Sequence, residues 1–346
     1  MNRIPVAVLG ATGTVGQKFI TLLEGHSWFT VEEVVASSRS AGKQYKEACN
    51  WKQPTPIPKE IAEKIVKTTD EKLNSPLLFS GLDSSVAGPA EEKYANDGHF
   101  IISNSKNHRM DADVPLVIPE LNADHFDIIS KQPYKGGIVT NSNCSTMFLA
   151  MVLGPLHQAF GVSEVQVSTM QAISGAGYPG VPSMDILGNI VPYISGEEEK
   201  LEIEPQKILG SYKDGTITPA KMKISAQCAR VPVFDGHTET LSIKFHKKPT
   251  PEQVKKVLAD FTGEAQKLGL PSAPSRPIVV HEEPNRPQPF LDAWLEKGMV
   301  ASVGRVRECS VLDIKMVIMG HNTVRGAAGA AILNGEALVK KGYIKV

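Results

Sequence analysis

Residues 6–19, VAVLGATGTVGQKF, set an apolar strand against the start of a helix with three glycines between them. Gly10, Gly13 and Gly16 form a G-x-x-G-x-x-G turn. Glycine there permits positive φ and close backbone approach, while a helix N-terminus offers free N–H groups and the positive end of its dipole to a pyrophosphate. Thr12, Thr14 and Val15 share the turn and its predicted cofactor contact. Alone the motif also fits a strand-to-helix turn that binds nothing. Outward from it, the first third alternates short apolar strands (5–9, 31–36, 77–79, 100–103 and 138–140) with helical stretches over 14–23 and 86–96. That is the pattern of a parallel α/β sheet.

The second strand sharpens the reading. A NAD-specific site has Asp or Glu at its end, bonding the ribose hydroxyls. Here the strand ends VVASSRSAGK, so Ser37, Ser38, Arg39 and Ser40 supply neutral donors and a cation. These suit a 2′-phosphate, and the predicted cofactor is NADP (NADPH); an exposed serine-rich loop is the plainer alternative. A short-chain reductase needs Tyr-x-x-x-Lys, and none of the seven tyrosines has lysine four places on. A cofactor-sensing regulator passes that test.

A chain of 346 residues exceeds the usual size of one core, so two domains are expected. Lys+Arg and Asp+Glu both total 37, which gives no basic surplus for nucleic acid. The apolar runs are too short to cross a bilayer, and MNRIPVAVLGATG enters a strand without a signal-peptide pattern. Cys49, Cys144, Cys228 and Cys309 are scattered, with no C-x-x-C or H-E-x-x-H, so no metal site is expected and a reducing, cytoplasmic location fits. From about residue 160 longer strands appear, several alternating apolar and polar residues as a largely antiparallel sheet does. One helix, TPEQVKKVLADFTGEAQKLG, interrupts them, with Thr250 as N-cap and Gly269 as stop. The closing NTVRGAAGAAILNGEALVKKG predicts an alanine-rich helix returning to the first domain. The expected division is a nucleotide-binding domain over 1–142, an α+β domain over 143–321 and a C-terminal helix over 322–346.

In GGIVTNSNCSTMFLAMVLGPL, residues 136–156, a polar run carries one cysteine between a buried strand and an apolar helix. A thiolate in a helix's first turn is stabilised by the dipole and by N–H groups. A lone cysteine is more often buried filler, and Cys49, Cys228 and Cys309 are read so. Cys144 differs in its polar surroundings and its place at a strand's C-terminal end, where open α/β sheets bind ligands. Such a nucleophile wants a histidine. His237, in CARVPVFDGHTETLSIKF, follows a Pro/Asp/Gly loop and begins an alternating strand. Locally it reads more readily as a hydrogen-bonded turn histidine, and His26, His99, His125, His157 and His246 read as structural or solvated.

Seven segments then occur in order: GATGTVGQ, ASSRSAGK, SNSKNHRMD, VTNSNCST, MQAISGAGYPG, SGEEEKLEIEPQKILG and CARVPVFDGHTETLSIKF. Together the set resembles the aspartate-β-semialdehyde dehydrogenase family, in the branch seen in fungi and archaea. The resemblance runs from about residue 4 to HNTVRGAAGAA. It implies a Rossmann-like NADP domain joined to a catalytic and dimerisation domain with a mostly antiparallel sheet, like glyceraldehyde-3-phosphate dehydrogenase. It also implies a homodimer or homotetramer. Cys144 would attack the aldehyde to give a thiohemiacetal, then a thioester that phosphate cleaves to β-aspartyl phosphate. Biosynthesis of threonine, methionine, isoleucine and, where the pathway exists, lysine runs this in reverse. By the same likeness His237 is the acid/base, Gln171 orients the substrate, Arg230 grips its carboxylate and Glu197 its amine. Lys200 and Arg109 hold phosphate with Asn143 nearby. Ser80, Ser174, Gly175, Gly177 and Asn322 reach the cofactor. Within EEEK the choice among Glu197, Glu198 and Glu199 is open by a position, and Lys106 or His108 could add to the phosphate cations. Competing functions are a malonyl-CoA (succinyl-CoA) reductase, an N-acetyl-γ-glutamyl-phosphate reductase and a non-catalytic NADP sensor.

Overall fold

A computed structural model of the chain describes residues 3–344; Met1, Asn2, Lys345 and Val346, at the outer ends of the predicted spans 1–142 and 322–346, lie outside the described residues. Five short strands, β1 (Ile4–Leu9), β2 (Phe29–Val35), β3 (Leu77–Ser80), β4 (Phe100–Ser103) and β5 (Gly137–Thr140), form a parallel sheet in the order β2-β1-β3-β4-β5. Their near-continuous apolar runs reflect burial on both faces. Val6 and Val8 enter one core with Phe19, Phe29 and Phe79, while Ala7 and Leu9 enter another with Leu78, Tyr94 and Ile101. Helices α1 (Thr14–Leu23) and α2 (Ser84–Asp97) belong to this layer. Every strand runs the same way, so the ends of β1, β3, β4 and β5 open on one edge, the ligand edge of such sheets.

Directly after β5 comes α3 (Cys144–Phe160), whose residues Met147 to Leu153 are all fully buried. A helix apolar around its circumference needs cover on all sides. One cover is a six-stranded sheet of β6 (Val162–Gln171), β9 (Lys223–Arg230), β10 (His237–Phe245), β11 (Ile278–Val280), β12 (Ala301–Glu308) and β13 (Ile314–Gly320). Its order is β11-β12-β13-β10-β6-β9, antiparallel except for the β11–β12 and β6–β9 pairs. Between β6 and β9 stand α4 (Glu197–Ile208) and a hairpin of β7 (Ser211–Lys213) and β8 (Thr216–Thr218). The hairpin turns on Asp214 and Gly215, both at positive φ.

The helix expected over 250–269 is interrupted. Thr250 caps α5 (Pro251–Ala259) with a full capping box, and a separate turn, Glu264–Lys267, follows. Gly263 is extended at the break, and a Cβ there would lie 2.4 Å from Glu120 Cα. Close packing against residues 119–122 therefore overrides the local helix preference. The chain closes with a π-turn, Val324–Ala328, and α6 (Gly329–Lys340). Through Gly335, α6 lies against Leu77 and Phe79 of the first sheet. Among the described residues no helix is long and apolar enough to cross a membrane, and no group of His, Cys, Asp and Glu is placed to hold a metal ion.

Candidate active site

Cys144 is the first residue of α3, half-buried at the crevice where β5 ends. The polar run before it is spent on fixing that position. Asn143 is the N-cap, its Oδ1 accepting from the N–H groups of Ser145 (2.9 Å) and Thr146 (3.1 Å). Its Nδ2 donates to Glu197 Oε2 and its backbone N–H to Glu204 Oε2, both at 2.8 Å. From behind, the π-turn presses Gly326 on the cysteine: a Cβ on Gly326 would lie 2.9 Å from Cys144 Cβ.

His237, first residue of β10 and fully buried, brings Nε2 within 3.2 Å of Cys144 Sγ. Its Nδ1 accepts from the Ala172 N–H at 3.1 Å. A backbone N–H cannot accept, so the neutral ring carries its proton on Nε2, facing the sulfur. Burial, reinforced by the Arg230 guanidinium, pushes His237 down to about 3. The same burial pushes the Cys144 thiol up to about 12, with Glu197 adding to the rise and Arg230, Arg109 and Lys200 opposing it. The resting pair is thus a thiol beside a neutral imidazole, and the helix start does not outweigh burial here.

The charged residues gather around this pair. Glu197, nearly buried at the start of α4, accepts from Lys200 Nζ (2.6 Å), Asn143 Nδ2 (2.8 Å) and Gln171 Nε2 (3.2 Å). These bonds hold its carboxyl below the usual range although burial acts the other way. Glu198 instead accepts from the Cys228 N–H and Glu199 is exposed, so the site takes the first of the three. Arg230 ends β9 and donates to the Ala172 carbonyl at 2.8 Å, leaving guanidinium donors for a ligand. A Cβ on Gly175 would meet Arg230 NH1 at 3.0 Å and His237 Cε1 at 3.0 Å, so this loop abuts both side chains. Arg109 donates to Glu204 Oε1 and to the Asn104 carbonyl, each at 2.8 Å. Lys106 is exposed, and His108 turns to Asp111 Oδ2 (2.8 Å), away from the charged cluster.

Toward the sheet edge the glycine turn forms a cradle. Gly10 has φ +72°, and a Cβ there would sit 2.6 Å from the Gly81 carbonyl; on Gly16 it would sit 2.2 Å from the Gly10 carbonyl. No side chain caps α1 at Gly13, so its first N–H groups are free for a phosphate. Ser37, Ser38 and Arg39 are exposed at the end of β2 and Ser40 is half-exposed, with no acidic residue among them. These residues fit a dinucleotide carrying a 2′-phosphate. Thr14 Oγ1 accepts from the Tyr178 N–H (3.0 Å), closing the loop of Ser174, Gly175 and Gly177 over α1. Thr14, Ser174 and Gly177 help line a cavity of about 560 Å³. Asn322 accepts from the Gly236 N–H and donates to Ser174 Oγ (2.8 Å), reaching that loop. Ser80 departs from expectation: the residue is fully buried and its hydroxyl turns inward to Glu91 (2.6 Å), so it offers no side-chain contact to a cofactor.

Glu204 and Lys207 are the residues that sequence reading missed. Lys207 Nζ donates to the carbonyls of Arg109, Asp111 and Val114, and burial brings it down to about 8. A signal was present: Glu197, Lys200, Glu204 and Lys207 recur at spacings that share one helix face.

A semialdehyde dehydrogenase NAD-binding domain matches residues 5–129, and a semialdehyde dehydrogenase dimerisation domain matches residues 153–325. The aspartate-semialdehyde dehydrogenase of Schizosaccharomyces pombe is 52% identical, with 98% of this chain and 99% of that protein covered. That of Methanothermobacter thermautotrophicus is 47% identical over 97% of this chain and 99% of its own. The crystal structure of aspartate semialdehyde dehydrogenase with NADP from Candida albicans superposes with a TM-score of 0.92 at 46% identity, covering 99% of this chain and 100% of that one. Aspartate semialdehyde dehydrogenase II complexed with ASA, from Vibrio cholerae, gives a TM-score of 0.80 at 25% identity, covering 99% and 100%.

Proposed function

The chain belongs to the aspartate-semialdehyde dehydrogenases, and from that premise we propose that it interconverts L-aspartate-β-semialdehyde and L-β-aspartyl phosphate with NADP and inorganic phosphate. The observation that carries the reading is the contact of Cys144 Sγ with His237 Nε2 inside a ring of Glu197, Arg230, Arg109 and Lys200.

Arg230 takes the substrate carboxylate in its planar fork and Glu197 the α-amine, with Gln171 orienting the chain between them. This places the aldehyde carbon at Cys144 Sγ. Sulfur adds to that carbon as the S–H bond breaks, and the thiol proton passes to the carbonyl oxygen, giving the hydroxyl of a neutral thiohemiacetal. His237 Nε2–H, directed at the sulfur at rest, then donates to that oxygen; a neutral imidazole is an effective electrophile in a buried site. The glycine cradle and the 174–177 loop would hold NADP, which when bound would supply the acceptor for the carbon-bound hydrogen as hydride, while the hydroxyl proton is released to solvent. The resulting thioester is attacked by a phosphate oxygen steered by Arg109 and Lys200. The C–S bond breaks, and Cys144 leaves as thiolate. The reverse sequence is the biosynthetic direction.

An α-amine partner favours the amino-acid aldehyde over malonyl-CoA or an N-acetylated substrate. The same proposal includes the divisions 1–142, 143–321 and 322–346, Ser37 to Ser40 as the 2′-phosphate contact, and a dimer or tetramer. It also places the enzyme in the cytoplasm, consistent with four free thiols. NADPH formation from the aldehyde and NADP⁺ should require phosphate and fall by a factor of about 10³ or more in Cys144→Ala. Reduction of malonyl-CoA by NADPH, with no turnover of the amino-acid aldehyde, contradicts the reading.

A further inference from the structure

Glu204 stands seven residues beyond Glu197 on the same face of α4, with 2% of its surface exposed. Its two oxygens face two different parts of the site. Oε1 accepts from Arg109 NH1 and Oε2 from the backbone N–H of Asn143, both at 2.8 Å. Arg109 belongs to the loop after β4, and Asn143 is the cap that sets Cys144. One carboxylate therefore bridges the ends of β4 and β5.

Resting on the function proposed above, we propose that Glu204 is a positioning residue that locks the phosphate-binding arginine and the nucleophile's helix start into one unit. The chemistry requires a carboxylate. Two donors, one cationic, converge on two oxygens, and an ionised carboxylate is acceptor-only. An amide offers one acceptor and turns its NH₂ toward the other donor, so one of the two contacts must break. Whichever contact breaks, Arg109 retains its Asn104 bond and its charge but is no longer tied to the start of the nucleophile's helix. Glu204 touches neither reacting carbon nor sulfur; it acts through Arg109 and Asn143.

Glu204→Gln and Glu204→Asp in the full chain test this, with NADPH formation followed against phosphate and aldehyde separately. In Glu204→Gln the KM for phosphate should rise about tenfold or more and kcat should fall, since misplacing a contact group by about 1 Å can cost 10²-fold. The KM for aldehyde should change far less, since Glu204 makes no contact with Arg230 and Glu197 keeps its bonds to Lys200 and Gln171. General misfolding would not single out phosphate. If Glu204→Gln fails to fold by circular dichroism, Glu204→Asp decides by the same criterion, because its shorter arm reaches only one donor. An unchanged KM for phosphate in a folded variant overturns the proposal. A wild type that forms NADPH without phosphate rejects the function instead. Arg109 is then judged by whether phosphate protects Cys144 from iodoacetamide, and equal protection of wild type and variant overturns its tethering by Glu204.

Discussion

At the scale of single residues, the site is built around a thiol that is hard to ionise. Burial pushes Cys144 to about 12, and Glu197 raises it further while three cations pull it down. Below its pKa the thiolate fraction grows about tenfold per pH unit. Alkylation of Cys144 by iodoacetamide in the ligand-free protein should therefore climb through pH 7 to 10 without levelling. A plateau near neutrality would contradict a neutral resting pair. Glu197→Gln removes the carboxylate that disfavours the thiolate, so the variant should alkylate about threefold faster or more at pH 8. Its KM for the aldehyde should rise at the same time, because the amine partner is gone. An alkylation rate equal to wild type would mean that Glu197 does not act on the sulfur. Local pattern left Cys144 and His237 open, and only the family likeness gave them roles; sequence could not supply the Ala172 N–H that sets the imidazole tautomer. That contact depends on a backbone group 65 positions away.

Among elements, legibility followed the range of the forces involved. The parallel strands were readable because burial on both faces writes continuous apolar runs, and the Thr250 cap because its capping box is local. The break at Gly263 was not readable, since it follows from contact with Glu120, 143 residues earlier in the chain. Nor was the inward turn of Ser80, fixed by Glu91 of α2. The π-turn Val324–Ala328 is the element whose fit matters most to catalysis. Single π-turns often sit at functional sites, and this one backs the nucleophile. A methyl on Gly326 would contact Cys144 Cβ at 2.9 Å and Cα at 3.2 Å. Gly326→Ala should thus push the cysteine forward, lowering kcat by about 10²-fold. Overpacking of this kind destabilises by about 1–3 kcal/mol. The comparison of kcat with the thermal midpoint separates the two effects. Full activity in a protein with an unaltered melting curve would show that the π-turn does not hold the thiol.

Over the whole molecule, the same turn is also a joint. Among the described residues Arg325 is the largest fully buried side chain, donating to Glu120 Oε2 at 2.7 Å and contacting Met151 Sδ at 3.3 Å. Three regions meet there: the segment 119–122 between β4 and β5, the middle of α3, and the start of the chain's return to the first sheet. Nearby, Asn141 Nδ2 donates to the Ala327 carbonyl and Asn334 Nδ2 to the Val117 carbonyl, so the return is fastened by polar groups on both sides. The closing helix was readable from its alanine-rich run, but an arginine with no exposure was not, because its partner lies 205 positions away. A buried pair is costly to break and often cheap to replace. Removing one partner strands a charge and typically costs about 3–5 kcal/mol, whereas well-packed apolar substitutes are often neutral. Glu120→Ala should accordingly lower unfolding stability by about that amount in urea. The double replacement Glu120→Leu with Arg325→Met should recover most of it. If the double variant is instead as unstable as the sum of its single changes, the two side chains are not energetically coupled and the ion-pair account of this joint fails.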